Sequence, residues 1–331
     1  MDNVDFQLKG RDFISTQDWS RQELQFALDT AADLKRKFKM GEPTRYLRDK
    51  TAFLIFFDKS TRTRNSFEAG ITQLGGHGHF IDSSTSQIAH GESPKDMGII
   101  LSSYGHAIAI RHDLVPGEGN AYIREVAKWA SIPVFNMQCD VDHPFQMMAD
   151  LMTIQENFAT HSLRGMKIAV SWAYAPSYAK PVSVPQGLIM LMTRFGADVT
   201  LARPKEFALM DEPMRIAKEN AARSGGSLKV TDNMDEAMEG THVVYAKSWG
   251  ALDHFDNKAA YLKLAAKYKD WRVDQRRMDM SAPEGVYMHC LPADRNNEVT
   301  DEVLDGPRSV IYQEAENRLH TAKAIMALTM R

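Results

Sequence analysis

The sequence lacks what a secreted or membrane-embedded chain depends on. Only two cysteines, Cys139 and Cys290, occur in 331 residues, too few for a disulfide framework or a cysteine-based zinc site. No apolar run approaches the roughly 18 residues that cross a bilayer. The opening MDNVDFQLKGRDF is acidic and has no apolar core, so no signal peptide is expected. Neither sign of charge dominates: 40 Lys and Arg stand against 43 Asp and Glu, a net charge of -3. That leaves no polycationic surface for phosphate backbones, which argues against a nucleic-acid partner. Low-complexity tracts and short-period repeats are missing as well. The expectation is a cytoplasmic protein with no membrane partner.

What is present is average for a globular protein, with 44% hydrophobic and 25% charged residues. At roughly 100 to 200 residues per domain, the length suits two domains. Ser20 and Glu23 form a capping-box pattern ahead of Leu24, Leu28, Ala31, Leu34 and Phe38 on one helical face, and Gly41 and Pro43 stop that helix. The apolar run 52–57 is too short for a helix and reads as a buried strand. Strands then fall near 79–83, 107–110 and 133–137, with helices near 65–74, 94–104, 119–130 and 144–158. The pattern restarts at 166–172, with further strands near 197–202, 227–232, 241–247, 285–290 and 309–313. Helices near 184–195, 211–223, 257–268 and 315–330 interleave with them. Such alternation means βαβ units and parallel sheets buried on both faces. The expected fold is α/β, two doubly wound parallel-sheet domains over 1–150 and 151–314, with a last helix free to pack elsewhere.

Ligands of open α/β sheets bind beyond the carboxyl ends of strands. The loop after the first strand reads Asp58-Lys59-Ser60-Thr61-Arg62-Thr63-Arg64 and runs into a helix. Two guanidinium groups, three hydroxyls and the free N–H groups of a helix start suit a dianionic phosphate, because Arg grips phosphate oxygens as a fork. The alternative is a solvated loop whose hydroxyls cap the helix. Arg111 follows a short buried strand and either faces a ligand or pairs with a carboxylate. His143 precedes Pro144 at a helix start, where an imidazole can donate to a carbonyl oxygen, and Gln146 lies one turn on.

The STRTR loop resembles the carbamoyl-phosphate loop of the aspartate and ornithine carbamoyltransferase family. Arg111, the segment His143-Pro144-Phe145-Gln146 and His289-Cys290-Leu291-Pro292 match further motifs in the family's order. The strings QIAHGE, GEGNAY, QCDVDHP and WAYAPSYAKPVSVPQG look like its knotted, YgeW-type branch. The resemblance implies that Ser60, Thr61, Arg62 and Thr63 hold the phosphate of carbamoyl phosphate, and that Thr63, Arg111 and His143 polarise its carbonyl. Gln146 and the Leu291 carbonyl would hold the amino group, and Arg318, in EAENR on a last helix (315–331) returned to the first domain, would reach the ligand. The first domain would then bind carbamoyl phosphate and the second the amine acceptor, with no metal and no organic cofactor. The segment 86–92 resembles a mobile loop that enters the neighbouring subunit's site in a homotrimer, offering Gln87 and His90. At His90 aspartate-type members carry Lys.

On the acceptor side the DGxNN and SMG strings of ornithine-type members are absent, and HCLPA differs from the aspartate-type HPLPR. In their places stand Trp172, Lys247, Ser248, Trp249 and Cys290, with Pro176, Pro181 and Pro185 in a segment like the threaded loop of knotted members. The expected acceptor is a small amine or amino acid, an ornithine or N-acylornithine among the alternatives. Each residue also has a plainer reading. Cys290 suits an inert buried thiol, Lys247 a surface cation, and Arg318 a helix surface ion pair with Glu314. A nicotinamide dehydrogenase needs a Gly-rich strand-to-helix turn, and neither AYAPSY nor DKSTRTR supplies one. His77 and His79 have no spaced carboxylate or cysteine to complete a metal site and read as part of a turn. A non-catalytic binding homologue would not need the full carbonyl-polarising set.

Overall fold

Ser20 closes the expected capping box. Its hydroxyl accepts from the Glu23 N–H, and the Glu23 carboxylate accepts from the Ser20 N–H at 2.6 Å. The helix it starts, α1 (Arg21–Lys39), buries Leu24, Leu28, Ala31 and Leu34. The computed structural model describes residues 7–113 and 115–331. They form two compact units, 7–149 with Glu316–Arg331, and Asp150–Ala315. Among the described residues, no helix is long and apolar enough to cross a membrane.

The first unit continues through β1 (Thr51–Phe56), α2 (Arg62–Gln73), β2 (His77–Asp82), α3 (Pro94–Tyr104), β3 (Ala107–His112), α4 (Gly119–Trp129), β4 (Val134–Cys139) and α5 (Pro144–Phe158). Its four strands are parallel, in the order β2-β1-β3-β4. Strands β1, β3 and β4 are buried almost throughout, as a sheet covered on both faces requires. Pro94 and Pro144 open α3 and α5, where a missing N–H costs nothing. The GEGNAY string is explained by contact: a Cβ on Gly119 would lie 1.8 Å from the His112 carbonyl oxygen, so only glycine lets α4 start against the end of β3.

The second unit holds β5 (Lys167–Trp172), α6 (Ser183–Arg194), β6 (Asp198–Ala202), α7 (Asp211–Ser224), β7 (Ser227–Thr231), α8 (Met234–Met238) and β8 (Val243–Lys247). It continues with α9 (Lys258–Ala265), α10 (Gln275–Asp279), β9 (Val286–Met288), α11 (Asp301–Leu304) and the start of α12 (Ile311–Thr329). The sheet is parallel, ordered β7-β6-β5-β8-β9. The division between units falls inside α5 and inside α12.

Two sequence expectations fail. The strand near 309–313 does not form. Ser309 makes one isolated bridge to Tyr287, and Ile311 already opens α12. The apolar triplet Val310-Ile311-Tyr312 imitates a strand, but Tyr312 is 66% exposed and belongs to the solvent side of a helix. His77 and His79 lie in edge strand β2, not in a turn, and among the described residues no group of three or more potential ligands could hold a metal.

Candidate active site

Strand order decides where chemistry belongs. In the first unit the order reverses between β1 and β3, and a ligand crevice forms beyond the carboxyl ends at such a reversal. The two loops leaving those strands carry Ser60 to Arg64 and Arg111, and Phe56 is paired with Arg111 in the ladder. Arg111 is clasped by Asp113, its Nε at 3.1 Å and its Nη2 at 2.8 Å from the two carboxylate oxygens. Its remaining nitrogen, Nη1, reaches the hydroxyls of Ser60 at 3.3 Å and Thr63 at 3.4 Å. Burial pushes the Asp113 carboxyl above its ordinary value, and the Arg111 charge opposes that.

The Thr63 hydroxyl also accepts from Arg318 Nη2 at 2.7 Å, while Arg318 Nη1 donates to Gln146 Oε1 at 2.6 Å. One hydroxyl therefore faces two guanidinium groups, and Thr63 is 1% exposed. Arg318 is 3% exposed, so it is not the exposed arginine that a helix surface allows. Thr61 makes no side-chain cap bond, so the plain capping reading of the loop also fails there. Arg62 forms the first residue of α2.

His143 sits at the entrance of α5 and is 3% exposed. Asp142 before it is fully buried and accepts from the Ser15 hydroxyl at 2.8 Å and the Thr16 N–H at 3.0 Å. Burial raises its carboxyl to about 6 against the pull of Ser15, Thr16 and the His143 N–H. Beside Ser60 and Thr61 a cavity of about 460 Å³ reaches Lys59, Arg64, Phe80 and Asp82. Arg64 is held over the Phe80 ring at 3.5 Å and bonds Glu68 at 3.1 Å. Gln87 and His90 lie on an exposed single turn, Gln87–His90, with 3.3 Å between the His90 Nδ1 and the Gln87 Oε1. Gly91 closes that turn with φ +86, a conformation glycine adopts freely.

In the second unit the order reverses between β5 and β8, where Trp172 is paired with Lys247. Lys247 is 7% exposed and donates to the Ser248 carbonyl at 2.9 Å. Glu298 gathers the surrounding loops. It accepts from the Ser248 N–H at 2.5 Å, the Asp294 N–H at 2.6 Å and Lys180 Nζ at 2.7 Å. Burial works against its charge, but His289, Lys180 and Lys247 outweigh that and hold the carboxyl far below its ordinary value. The Cys290 thiol is pushed up by burial, only partly offset by Lys247, so it stands as a thiol and not a nucleophilic thiolate. Leu291 has φ +56. Below them Glu314 accepts from the His289 N–H at 2.8 Å and the Tyr245 hydroxyl at 3.1 Å. Burial and the neighbouring Asp150 keep Glu314 protonated well above the usual carboxylate range.

Comparison with known proteins agrees with this geometry. Residues 11–156 match the aspartate/ornithine carbamoyltransferase carbamoyl-P binding domain, and residues 180–329 match the Asp/Orn binding domain of the same family. The chain belongs to the aspartate/ornithine carbamoyltransferase family. The carbamoyltransferase is 40% identical to YgeW of Escherichia coli (strain K12), over 93% of this chain and 87% of that one. It is 39% identical to the N-acetylornithine carbamoyltransferase of Xanthomonas campestris pv. campestris, over 95% of this chain and 96% of that one. Among solved structures, an acetylornithine transcarbamylase complexed with acetylcitrulline superposes with a TM-score of 0.90 at 36% identity, covering 97% of this chain and 99% of the other.

Within this carbamoyltransferase two of the residues expected at the acceptor, both tryptophans, lie deep in the second unit. Trp172 and Trp249 are fully buried, and their indole N–H groups are spent on the Trp249 and Phe207 carbonyls at 2.9 and 3.0 Å. The Trp172 ring lies tilted against Phe207, with 4.2 Å between ring centres. The tryptophans' single N–H donors are satisfied inside the second unit, which anchors both indoles there. Ser248 is likewise fully buried and bonded to Glu298 through its N–H. The residues the reading missed are Asp113, Asp142, Lys180 and Glu298. Only Asp113 carried a signal, a carboxylate two residues after an arginine at a strand end.

Proposed function

We propose that the chain transfers the carbamoyl group of carbamoyl phosphate to the amine of an amino acid or related small molecule and releases phosphate. The observation that carries this reading is the meeting of Arg111, Arg318 and Thr63 at the β1–β3 reversal. Fixed donors there suit both a phosphate and the oxygen on which charge develops. In this reading Ser60, Thr61, Arg62 and Thr63 hold the phosphate, and Arg111, His143 and Thr63 donate to the carbonyl oxygen. Gln146, whose Oε1 accepts from Arg318 Nη1 at 2.6 Å, binds the carbamoyl amino group. The amine lone pair bonds to the carbonyl carbon, and the carbonyl electron pair moves onto oxygen. Collapse breaks the carbon to phosphate-oxygen bond, that pair leaves with phosphate, and the nitrogen sheds a proton to give a ureido product. Loss of one such donor costs on the order of 100-fold to 1000-fold.

The acceptor falls to Lys247 and Cys290, beside a loop 172–186 that the fold holds stiffly. Lys180 within it is 3% exposed, its ammonium is ion-paired to Glu298, and its backbone carbonyl accepts from the Gly250 N–H at 2.9 Å. Threading of that loop as a knot, assembly as a homotrimer with Gln87 and His90 given to the neighbouring subunit, and residence in the cytoplasm complete the proposal. An N-acylated diamino acid leads the acceptors, since relatives carry the names N-acetylornithine carbamoyltransferase and acetylornithine transcarbamylase. The test is phosphate release from carbamoyl phosphate against amino acids, N-acylated diamino acids, diamines and amides. Stimulation by one class supports the reading. No stimulation by any, with no heat on adding carbamoyl phosphate, removes it.

A further inference from the structure

A second cavity, of about 350 Å³, opens in the first unit among the end of α1, the segment 41–45, the end of α2 and Lys323 of α12. Lys323 is 1% exposed. Its ammonium donates to the Gln73 side-chain oxygen at 3.0 Å and stands 5.5 Å from the centre of the Phe38 ring. Among the described residues it pairs with no carboxylate. A buried ammonium loses its hydration shell, and one neutral amide oxygen with a ring face returns only part of that loss. Burial pushes its pKa down accordingly.

The surroundings add positive charge. Arg45 lines the same cavity, is exposed, and forms no ion pair among the described residues. Glu42, also at the cavity, already pairs with Arg36 at 3.1 Å. Glu316 is shared by Lys35 at 3.9 Å and Lys39 at 3.4 Å. One turn before Lys323 on α12, His320 is fully buried. Neither ring nitrogen has a hydrogen-bond partner, and the nearest carboxylate oxygen, on Glu316, is 3.9 Å away. Burial first, then the Lys323 charge, holds His320 to about 4, so at neutral pH it is uncharged. Phe38, 45% exposed, and Pro43 supply an apolar wall.

We propose that this cavity binds a small organic carboxylate with an apolar body, the carboxylate on Lys323 and Arg45 and the body against Phe38 and Pro43. The volume lies at the lower end of small-molecule sites, about 300 to 1,000 Å³, which suits a single ring or short chain. Phe38 and Pro43 give an apolar body a surface to cover, which favours an organic carboxylate over inorganic phosphate. The site is separate from the STRTR loop and does not depend on carbamoyl transfer.

The full-length chain is titrated with sodium benzoate by calorimetry, and its thermal midpoint is followed with and without benzoate. Benzoate should bind once per chain and raise the midpoint, and should still do so in Arg62→Ala. In Lys323→Met the dissociation constant should weaken at least about tenfold, while the unliganded midpoint should rise because an uncompensated buried charge is gone. Inorganic phosphate, the second probe, should bind more weakly than benzoate. Absence of benzoate binding to the native chain, equal affinity in Lys323→Met, loss of binding in Arg62→Ala, or phosphate binding as tightly as benzoate would each overturn the proposal.

Discussion

Arg318 donates to the Thr63 hydroxyl at 2.7 Å, across 255 positions of sequence. The contact joins the last helix to the loop after the first strand, and Arg111 Nη1, 3.4 Å from the same oxygen, adds a third element. Three segments that are remote in the chain thus fix one hydroxyl, the preorganisation that charge stabilisation requires.

Replacing Arg318 tests that node. Arg318→Met should weaken carbamoyl-phosphate binding by about 10-fold to 100-fold, the worth of charge-assisted hydrogen bonds of about 1.5 to 3 kcal/mol. Arg318→Lys should not restore it, because a lysine cannot reach Gln146 and Thr63 together as a planar fork. Calorimetric titration of carbamoyl phosphate decides, and native affinity in either variant would show that Arg318 only braces the helix.

Asp113 acts through Arg111 and does not itself touch the proposed substrate. Asp113→Asn keeps the shape but halves the clasp, freeing Arg111 to turn. The turnover rate should fall by about 10-fold to 100-fold, with a smaller change in carbamoyl-phosphate affinity. An unchanged turnover number would mean that Ser60 and Thr63 aim Arg111 without it.

How much of this was legible depends on whether a residue's role is local. The starts of α3 and α5 follow from Pro94 and Pro144, and the cap of α1 from Ser20 and Glu23, because each signal acts within one turn. The strand-to-helix turn at 58–64, with its paired arginines and hydroxyls, is legible for the same reason. Glu298 is not: its partners Lys180, Ser248 and His289 come from three other segments, and nothing in RNNEVTD distinguishes a hub carboxylate from a solvated one. The burial of Trp172 and Trp249 is not legible either, because an aromatic beside a strand end reads the same whether it lines a site or fills a core. Val310 and Ile311 misled because a short apolar run does not separate a strand from the first turn of a buried helix.

Asp142 makes a pH-dependent prediction with a definite sign. Its folded-state carboxyl lies at about 6 against an ordinary 3.8, raised chiefly by burial and by Asp18, while Ser15, Thr16 and the His143 N–H pull it down. A raised carboxyl contributes stability fully below about 3.8 and loses it as pH climbs through about 6. The stability of Asp142→Asn relative to the native chain should therefore rise by about 2 kcal/mol between pH 4 and pH 7. Urea unfolding of both proteins at several pH values measures it, and a flat difference would contradict the burial account.

Lys247 separates the two substrates. Lys247→Met should raise the acceptor KM by about 10-fold to 100-fold, as expected for loss of a buried charge partner of a carboxylate. Carbamoyl-phosphate affinity should stay within about twofold, since Lys247 belongs to the second unit. Initial-rate kinetics with the best acceptor, beside calorimetry, would expose the opposite pattern.

The central claim is carbamoyl transfer at the STRTR loop, and carbon-13 NMR with labelled carbamoyl phosphate tests it most directly. With the native chain and an N-acylated diamino acid, the carbamoyl carbon signal should disappear and a ureido carbon signal should grow, while Arg62→Ala leaves the starting signal at its uncatalysed rate. A ureido signal that forms equally fast in Arg62→Ala, or none with any acceptor in the panel, would contradict the account.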